Sequence, residues 1–182
     1  MIICGLPGVG KTTIAKDLAP LIDASVLSTD KIRKELIPNP TYKKQEKRLI
    51  YKVLLIVAKY LHKAGVNCIL DATFNTENSR REVKKKLGLS QEQICIVECI
   101  CPDDIVISRL KHRKKDYSDA DISIYKKMKK FYEPIKGEEE GEHIIINTNQ
   151  QSSKTNAKEI ASQILKKKKK EGGKEKKDEG EK

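Results

Sequence analysis

A chain of 182 residues can bury one α/β core and is too short for two ordinary domains. Its 37% hydrophobic and 35% charged residues give a globular composition, and no run reaches the roughly 18 apolar residues that a membrane crossing needs. The formal net charge is +12; residues 166–182 hold nine lysines and five acidic residues, net +4, so 12 − 4 = +8 remains on residues 1–165. A basic balance outside the lysine-rich end favours phosphate-rich partners.

Short apolar runs alternate with longer amphipathic ones, which predicts an α/β fold with a parallel sheet flanked by helices. Residues 1–4 read as a short first strand, entered so early that no signal or transit peptide is expected and a cytoplasmic location is the default. A glycine-rich turn leads into a helix over 11–22. Residues 24–27 read as a strand and 30–37 as a short helix stopped by Pro38. Over 43–63, Ile50, Val53, Leu54, Val57, Ala58 and Leu61 keep helical spacing, and Gly65 suits the end. A strand over 66–71 ends in Asp71, and a charged helix follows at 77–87.

The next strand, 94–100, leads through Pro102 into a helix whose first turn holds Asp103 and Asp104, as the macrodipole favours. Residues 118–121 have capping-box spacing and predict a helix from Ser118 to about Tyr132. A last strand at 143–147 and a helix near 153–168 complete the domain, taken as residues 1–165. Residues 166–182 contain no apolar side chain and are expected to be a disordered tail. Cys95, Cys99 and Cys101 fall at even offsets on one face. With Cys4 and Cys68 they read as buried small hydrophobes, because no second Cys or His cluster supports a metal site.

Gly5-Leu6-Pro7-Gly8-Val9-Gly10-Lys11-Thr12, followed by Thr13, fits G-x-x-x-x-G-K-[ST] at every fixed position. Glycines let successive backbone N–H groups turn inward as a cup for a triphosphate, and the helix that starts at once aims its positive end into it. Lys11 supplies a mobile charge for the β- and γ-phosphates, and the Thr12 hydroxyl is a ligand for Mg²⁺. Asp71, at a strand end, is the second expected Mg²⁺ contact. Ala72 follows where motor-type ATPases place a glutamate, which tilts the reading away from hydrolysis.

Asp30 and Arg33, three apart, share one side of a first helical turn. They read either as a proton acceptor with an anion-holding arginine, or as a capping Asp with a surface Arg. Arg109 and Arg113, four apart ahead of a polar segment at 114–119, read either as a lid closing over ATP or as a solvated basic face.

Together these motifs resemble the polynucleotide-kinase-like branch of small P-loop kinases, which includes 5′-hydroxyl polynucleotide kinases, the archaeal seryl-tRNA kinase and several small-molecule kinases. The likeness spans residues 1 to about 135. It rests on residues 5–13, Asp30-x-x-Arg33, Asp71-Ala72-Thr73-Phe74-Asn75 with Arg80-Arg81, and Arg109-x-x-x-Arg113 ahead of Tyr125-x-x-Met128-x-x-Phe131-Tyr132-Glu133-Pro134.

The resemblance implies a three-layer P-loop NTPase fold with a helical lid, Asp30 as general base, and Arg33 on the acceptor or its phosphate. It implies a lid arginine, Arg109 or Arg113, on the ATP phosphates, and Thr73, Asn75 and Arg80 beside the acceptor. The expectation is an ATP- and Mg²⁺-dependent kinase whose acceptor is an RNA or DNA 5′-hydroxyl. Seryl-tRNA, a nucleoside or another small alcohol are the alternatives, and a non-catalytic ATP-binding module is the contrasting class. No tRNA-gripping extension is visible, which disfavours seryl-tRNA. No N-K-x-D motif points to guanine.

Overall fold

The computed structural model describes the backbone of residues 1–113, 117–136 and 142–178, with side chains as far as Lys167. In chain order the elements are β1 (Ile2–Cys4), α1 (Lys11–Leu18), β2 (Ala24–Ser28), α2 (Thr29–Leu36), α3 (Lys44–Lys63), β3 (Asn67–Asp71) and α4 (Glu77–Leu87). They continue with β4 (Cys95–Ile100), α5 (Asp103–Lys111), α6 (Ile122–Lys130), β5 (Glu142–Asn147) and α7 (Ser153–Asp178). The strands form one five-stranded sheet in the order β2-β3-β1-β4-β5, parallel at every pairing.

The shortest strand lies at the centre, and its three residues are buried on both faces. Successive side chains of a strand point to opposite faces. Ile2 and Cys4 accordingly join Leu54, Leu55 and Ala58 of α3 and Val83 of α4. Ile3 joins Ile14 and Leu18 of α1, Val106 of α5, and Ala157 and Ile160 of α7. Helices thus cover both faces, and the central strands read as continuous apolar runs rather than alternating ones. Among the described residues no helix is long and apolar enough to cross a membrane.

The register aligns the strand ends that matter. Ile3 pairs with Asp71, Ser28 pairs with Asp71, and Cys4 pairs with Glu98. The loops after β1, β2 and β3 therefore leave the sheet along one carboxyl edge, where open α/β sheets bind ligands.

Three expectations need correction. The first helix ends at Leu18 and passes into a 3₁₀ turn, Ala19–Leu21, because Pro20 has no N–H for a continued α-helix. The helix α6 starts at Ile122 rather than near Ser118. Its cap is Asp121, whose side chain accepts from the Ile124 amide, while Asp119 is held by Lys34 and Tyr42. Finally, α7 is helical to Asp178, past the end expected near 168. Lys and Glu are good helix formers even where no apolar face asks for a helix.

The thiols lie where even spacing predicted. Cys99 is in the α1/α7 core with Cys95 and Cys101 packed against it. Burial pushes the Cys4, Cys95 and Cys99 thiols up to about 12, so none is a thiolate near neutrality. Native protein treated with iodoacetamide at pH 8 is expected to keep Cys4 and Cys99 unmodified by mass spectrometry, and to lose that protection in urea.

Candidate active site

The loop between β1 and α1 is shaped by contacts that only glycine allows. At Gly5, φ is 130° and a Cβ would sit 2.3 Å from the Cys99 carbonyl oxygen. Gly10 caps α1 in the left-handed region, φ 97°, so the chain turns sharply into the helix. The Gly5 amide donates to the Thr73 carbonyl at 3.1 Å, pinning the loop to the exit of β3.

Lys11 folds back over this loop, and its Nζ donates to the Leu6 carbonyl at 2.9 Å. Burial pushes its ammonium pKa down, with Asp71 the strongest opposing charge. Thr12 Oγ1 donates to Asp71 Oδ2 at 2.7 Å. Asp71 is only 3% exposed. Burial pushes its carboxyl pKa up, against Lys11 and the Thr12 hydroxyl. Lys11 and Thr12, neighbours in sequence, and Asp71, 59 residues after Thr12, are one cluster in space. Two adjacent hard oxygens, one on a desolvated carboxylate, suit a magnesium ion and its water shell.

Asp30 opens α2 directly after β2, close enough for its charge to act on both Lys11 and Asp71. Its Oδ1 accepts from Arg33 Nη1 at 2.9 Å. Arg33 lines the cleft but is only 5% exposed. Its Nε lies 3.1 Å from Glu46 Oε1, and its guanidinium sits 4.8 Å from the centre of the Tyr42 ring. Burial pushes the Glu46 carboxyl up, but the Thr41 amide and hydroxyl, the Tyr42 amide and Arg33 outweigh it, leaving the pKa below the usual value. Glu46 and Tyr42 carry no motif. The one trace in the sequence is that Glu46 is the sole acid on α3.

The two lid arginines differ in place. Arg109, in the last turn of α5, gives Nη1 to Thr148 Oγ1 at 3.0 Å and Nη2 to the Thr148 carbonyl at 3.1 Å. Thr148 Oγ1 in turn donates to the Val9 carbonyl at 2.6 Å, so Arg109 is tied to the phosphate loop through one residue. Arg113 lies just past the end of α5 rather than on the helix with Arg109. The expected lid residues 114–116 lie outside the described residues. Pro7, Gly8, Gly10, Thr12, Thr13, Asp30, Thr73, Asn75 and both arginines line one cleft of about 1710 Å³.

Residues 1–135 match the family described as AAA domain. The chain belongs to the AAA domain family. The chain is 27% identical over 135 residues to an uncharacterized protein of Mycobacterium tuberculosis, covering 68% of this chain and 27% of that one. A Pyrococcus abyssi protein named "Probable adenylyl-sulfate kinase" is 30% identical over 95 residues, covering 50% of this chain and 55% of that one. The match thus spans about a quarter of the mycobacterial protein and about half of the archaeal one. The fold of Chaetomium thermophilum Kti12, solved with ADP-AlF3, superposes with TM-score 0.70 at 15% identity, covering 91% of this chain and 96% of that one. The parallel five-stranded sheet flanked by helices is the fold of P-loop kinases.

In this AAA domain the residues expected beside the acceptor divide. Thr73 and Asn75 line the cleft, but Arg80 does not. Arg80 is 1% exposed and points into the core, its Nη1 donating to the Phe74 carbonyl at 3.0 Å and its Nη2 to the Pro134 carbonyl at 3.4 Å. Phe74 has φ 41°, a left-handed conformation costly for a bulky residue. The turn is held by the Gly5 amide on Thr73, by Arg80 on Phe74, and by Tyr51 packed edge-on against the Phe74 ring at 5.6 Å.

Segment 132–135 straps the end of the lid to the sheet. The Tyr132 hydroxyl donates to Glu98, the Glu133 amide donates to the Asn75 carbonyl, and Glu133 Oε2 accepts the Glu77 amide. Tyr132-Glu133-Pro134 therefore attaches the end of α6 to β4 and to the turn after β3. Arg80→Met retains the stem but leaves the Phe74 and Pro134 carbonyls without their charged donor. A loss of about 3 kcal/mol is expected, measured as a lower urea midpoint at unchanged slope.

Proposed function

We propose that this AAA domain is an ATP-dependent phosphotransferase that moves the γ-phosphate to a hydroxyl, and that the acceptor is the 5′-hydroxyl of a polynucleotide. The observation that carries the reading is the convergence of Lys11, Thr12, Asp71 and Asp30 in one cleft at the carboxyl edge of the sheet. A passive nucleotide binder has no need of a second carboxylate there, and Ala72 stands where a motor-type hydrolase places its water-activating glutamate.

Backbone amides of residues 8–13 would hold the phosphate chain, and Thr12 and Asp71 would hold magnesium, which would supply charge neutralisation to the phosphates. The acceptor oxygen bonds to the γ-phosphorus as the bridge to the β-phosphate breaks. Its proton passes to the Asp30 carboxylate, and the electron pair of the broken bond leaves with ADP. Lys11 and a lid arginine stabilise the charge spreading over the transferred group. Thr148 holds both terminal nitrogens of Arg109 beside the phosphate loop. Arg33, clamped by Glu46 and Tyr42, acts as a positioning residue that fixes the Asp30 carboxylate.

A second reading, transfer to a small alcohol such as that of adenylyl sulfate, draws on the Pyrococcus abyssi relative. A transfer assay with γ-labelled ATP separates the two. Its acceptors are 5′-hydroxyl RNA, 5′-hydroxyl DNA, seryl-tRNA, nucleosides and adenylyl sulfate, with Asp30→Asn as control. Labelled 5′ ends on RNA or DNA are expected. Label on adenylyl sulfate or a nucleoside alone would replace the polynucleotide reading, and no acceptor-dependent transfer at all would leave an ATP-binding module.

A further inference from the structure

The cleft extends well beyond the space a triphosphate and one hydroxyl require, and its outer lining is unevenly charged. Helix α3 contributes Lys44, Lys47, Arg48, Lys52 and Lys59 to it. At 100° per residue, Lys44, Arg48, Lys52 and Lys59 fall within an arc of about 80° on the helix. From Lys44 to Lys59 the stripe runs about 22 Å at 1.5 Å per residue. Among the described residues none of these five cations pairs with a carboxylate. The single acid of α3, Glu46, is already engaged by Thr41, Tyr42 and Arg33.

A merely solvated helix turns its charges outward and its apolar side inward. Here the exposed Leu49, Val57 and Tyr60 lie outside the cleft lining, while the five cations line it with Tyr51, Leu55 and Ile56 between them. The arrangement spends charge on the cleft. Helix α6 and its C-cap residue contribute mainly apolar side chains, with Lys127 the one cation among them. Ile124, Met128 and Phe131, at i, i+4 and i+7, line the same cleft, and Phe131 is 64% exposed.

We propose that this outer cleft is a binding track for single-stranded nucleic acid, with successive phosphates along the α3 stripe and a base stacked on Phe131. A mainly cationic lining facing a mainly apolar one matches a strand with phosphates on one edge and unpaired bases on the other. A duplex hides its bases, and a phosphorylated small molecule cannot span the stripe. At 3.4 Å per nucleotide the stripe covers about six stacked nucleotides. The track rests on the phosphotransfer reading for its purpose, since it leads to Asp30, but binding along it requires neither ATP nor transfer.

The test is fluorescence anisotropy without ATP, using a 3′-labelled 12-nucleotide RNA, the matching DNA, and the duplex of each, titrated over salt. The full chain is compared with a Lys44→Ala/Arg48→Ala/Lys52→Ala variant and with Phe131→Ala. Single strands are expected to bind at least about tenfold tighter than duplexes. The triple variant is expected to lose about tenfold or more in affinity and to flatten the slope of log K against log salt by about 2, three phosphates at about 0.7 each. Phe131→Ala should weaken binding about fivefold or more with the slope unchanged, because stacking releases no counterions.

ATP affinity by calorimetry, expected to be equal in all three proteins, certifies the fold. Equal binding of strand and duplex, a triple variant indistinguishable from the parent, or tighter binding to polyglutamate than to RNA would each overturn the track. If no acceptor is phosphorylated yet the slope changes as stated, the track stands and the kinase reading falls. If RNA is phosphorylated but the triple variant binds and reacts like the parent, the reverse holds.

Discussion

Lys11→Ala is expected to reduce phosphate transfer by about a thousandfold or more while leaving the melting temperature nearly unchanged. In a typical core position, removing a buried group that makes a hydrogen bond destabilises the fold. Lys11 differs because its charge is held in place against burial, which pushes the ammonium pKa down. An amine whose folded pKa lies below its unfolded value opposes folding wherever it is protonated, and that opposition fades as pH rises through the folded pKa.

Asp71 behaves in the mirror sense. Its carboxyl pKa is raised, so its ionised form opposes folding above the folded pKa, and stability grows as pH falls through it. Alanine at position 11 relieves the first penalty and worsens the second by stripping Asp71 of its counter-charge. The two effects oppose each other in stability but not in function, because Lys11 is the cation that folds back over the phosphate loop. The check is a pair of measurements on one sample: thermal unfolding by circular dichroism, and ATP affinity by calorimetry. A folded variant that still binds magnesium and ATP as the parent does would remove the phosphate-loop assignment.

How much of this could be read from residues alone depends on how local the cause is. The glycine loop was legible because its reason is local: positive φ, close approach and a helix start lie within eight residues. The strand end at Asp71 was legible because an apolar run stops at a polar residue there, while β2 runs one residue past its expected end at Leu27, to Ser28. Asp30 and Arg33 were visible as a pair. That Arg33 is shut between Glu46 and the ring of Tyr42 was not, since those partners come from another helix and from a left-handed residue, Tyr42, φ 58°.

Arg80 is the sharper case. Next to Arg81 in a charged helix it looks like a surface residue or an acceptor ligand. Its burial follows from a turn strained at Phe74 and from a strap more than fifty residues later, neither of which its neighbours encode. Thr148 is similar. A threonine after a last strand is unremarkable until β5 sets it between Arg109 and Val9. The α6 cap shows the limit of spacing arguments, because both Ser118 and Asp121 suit the role and tertiary contacts of Asp119 decide between them.

Asp30→Asn is expected to lower kcat by about a hundred- to ten-thousandfold, with ATP affinity and the KM for the acceptor nearly unchanged. The carboxamide has the same shape, can still accept one hydrogen bond from Arg33, and stays at the start of α2, so acceptor and donor continue to meet in line. What it cannot do is take a proton. A residue that only steered the acceptor would show the opposite division, a raised KM at preserved kcat.

Arg33→Lys supplies the companion measurement. It keeps the charge beside Asp30 but loses the planar fork that spans Asp30 and Glu46 under the Tyr42 ring, so Asp30 is still a base but is no longer held in one orientation. Its kcat should fall by about tenfold, less than for Asp30→Asn, and the double variant should be no slower than Asp30→Asn alone. A double variant slower than Asp30→Asn by the full Arg33→Lys factor would mean that Arg33 acts on the acceptor independently of Asp30, and the positioning role assigned to it would be wrong.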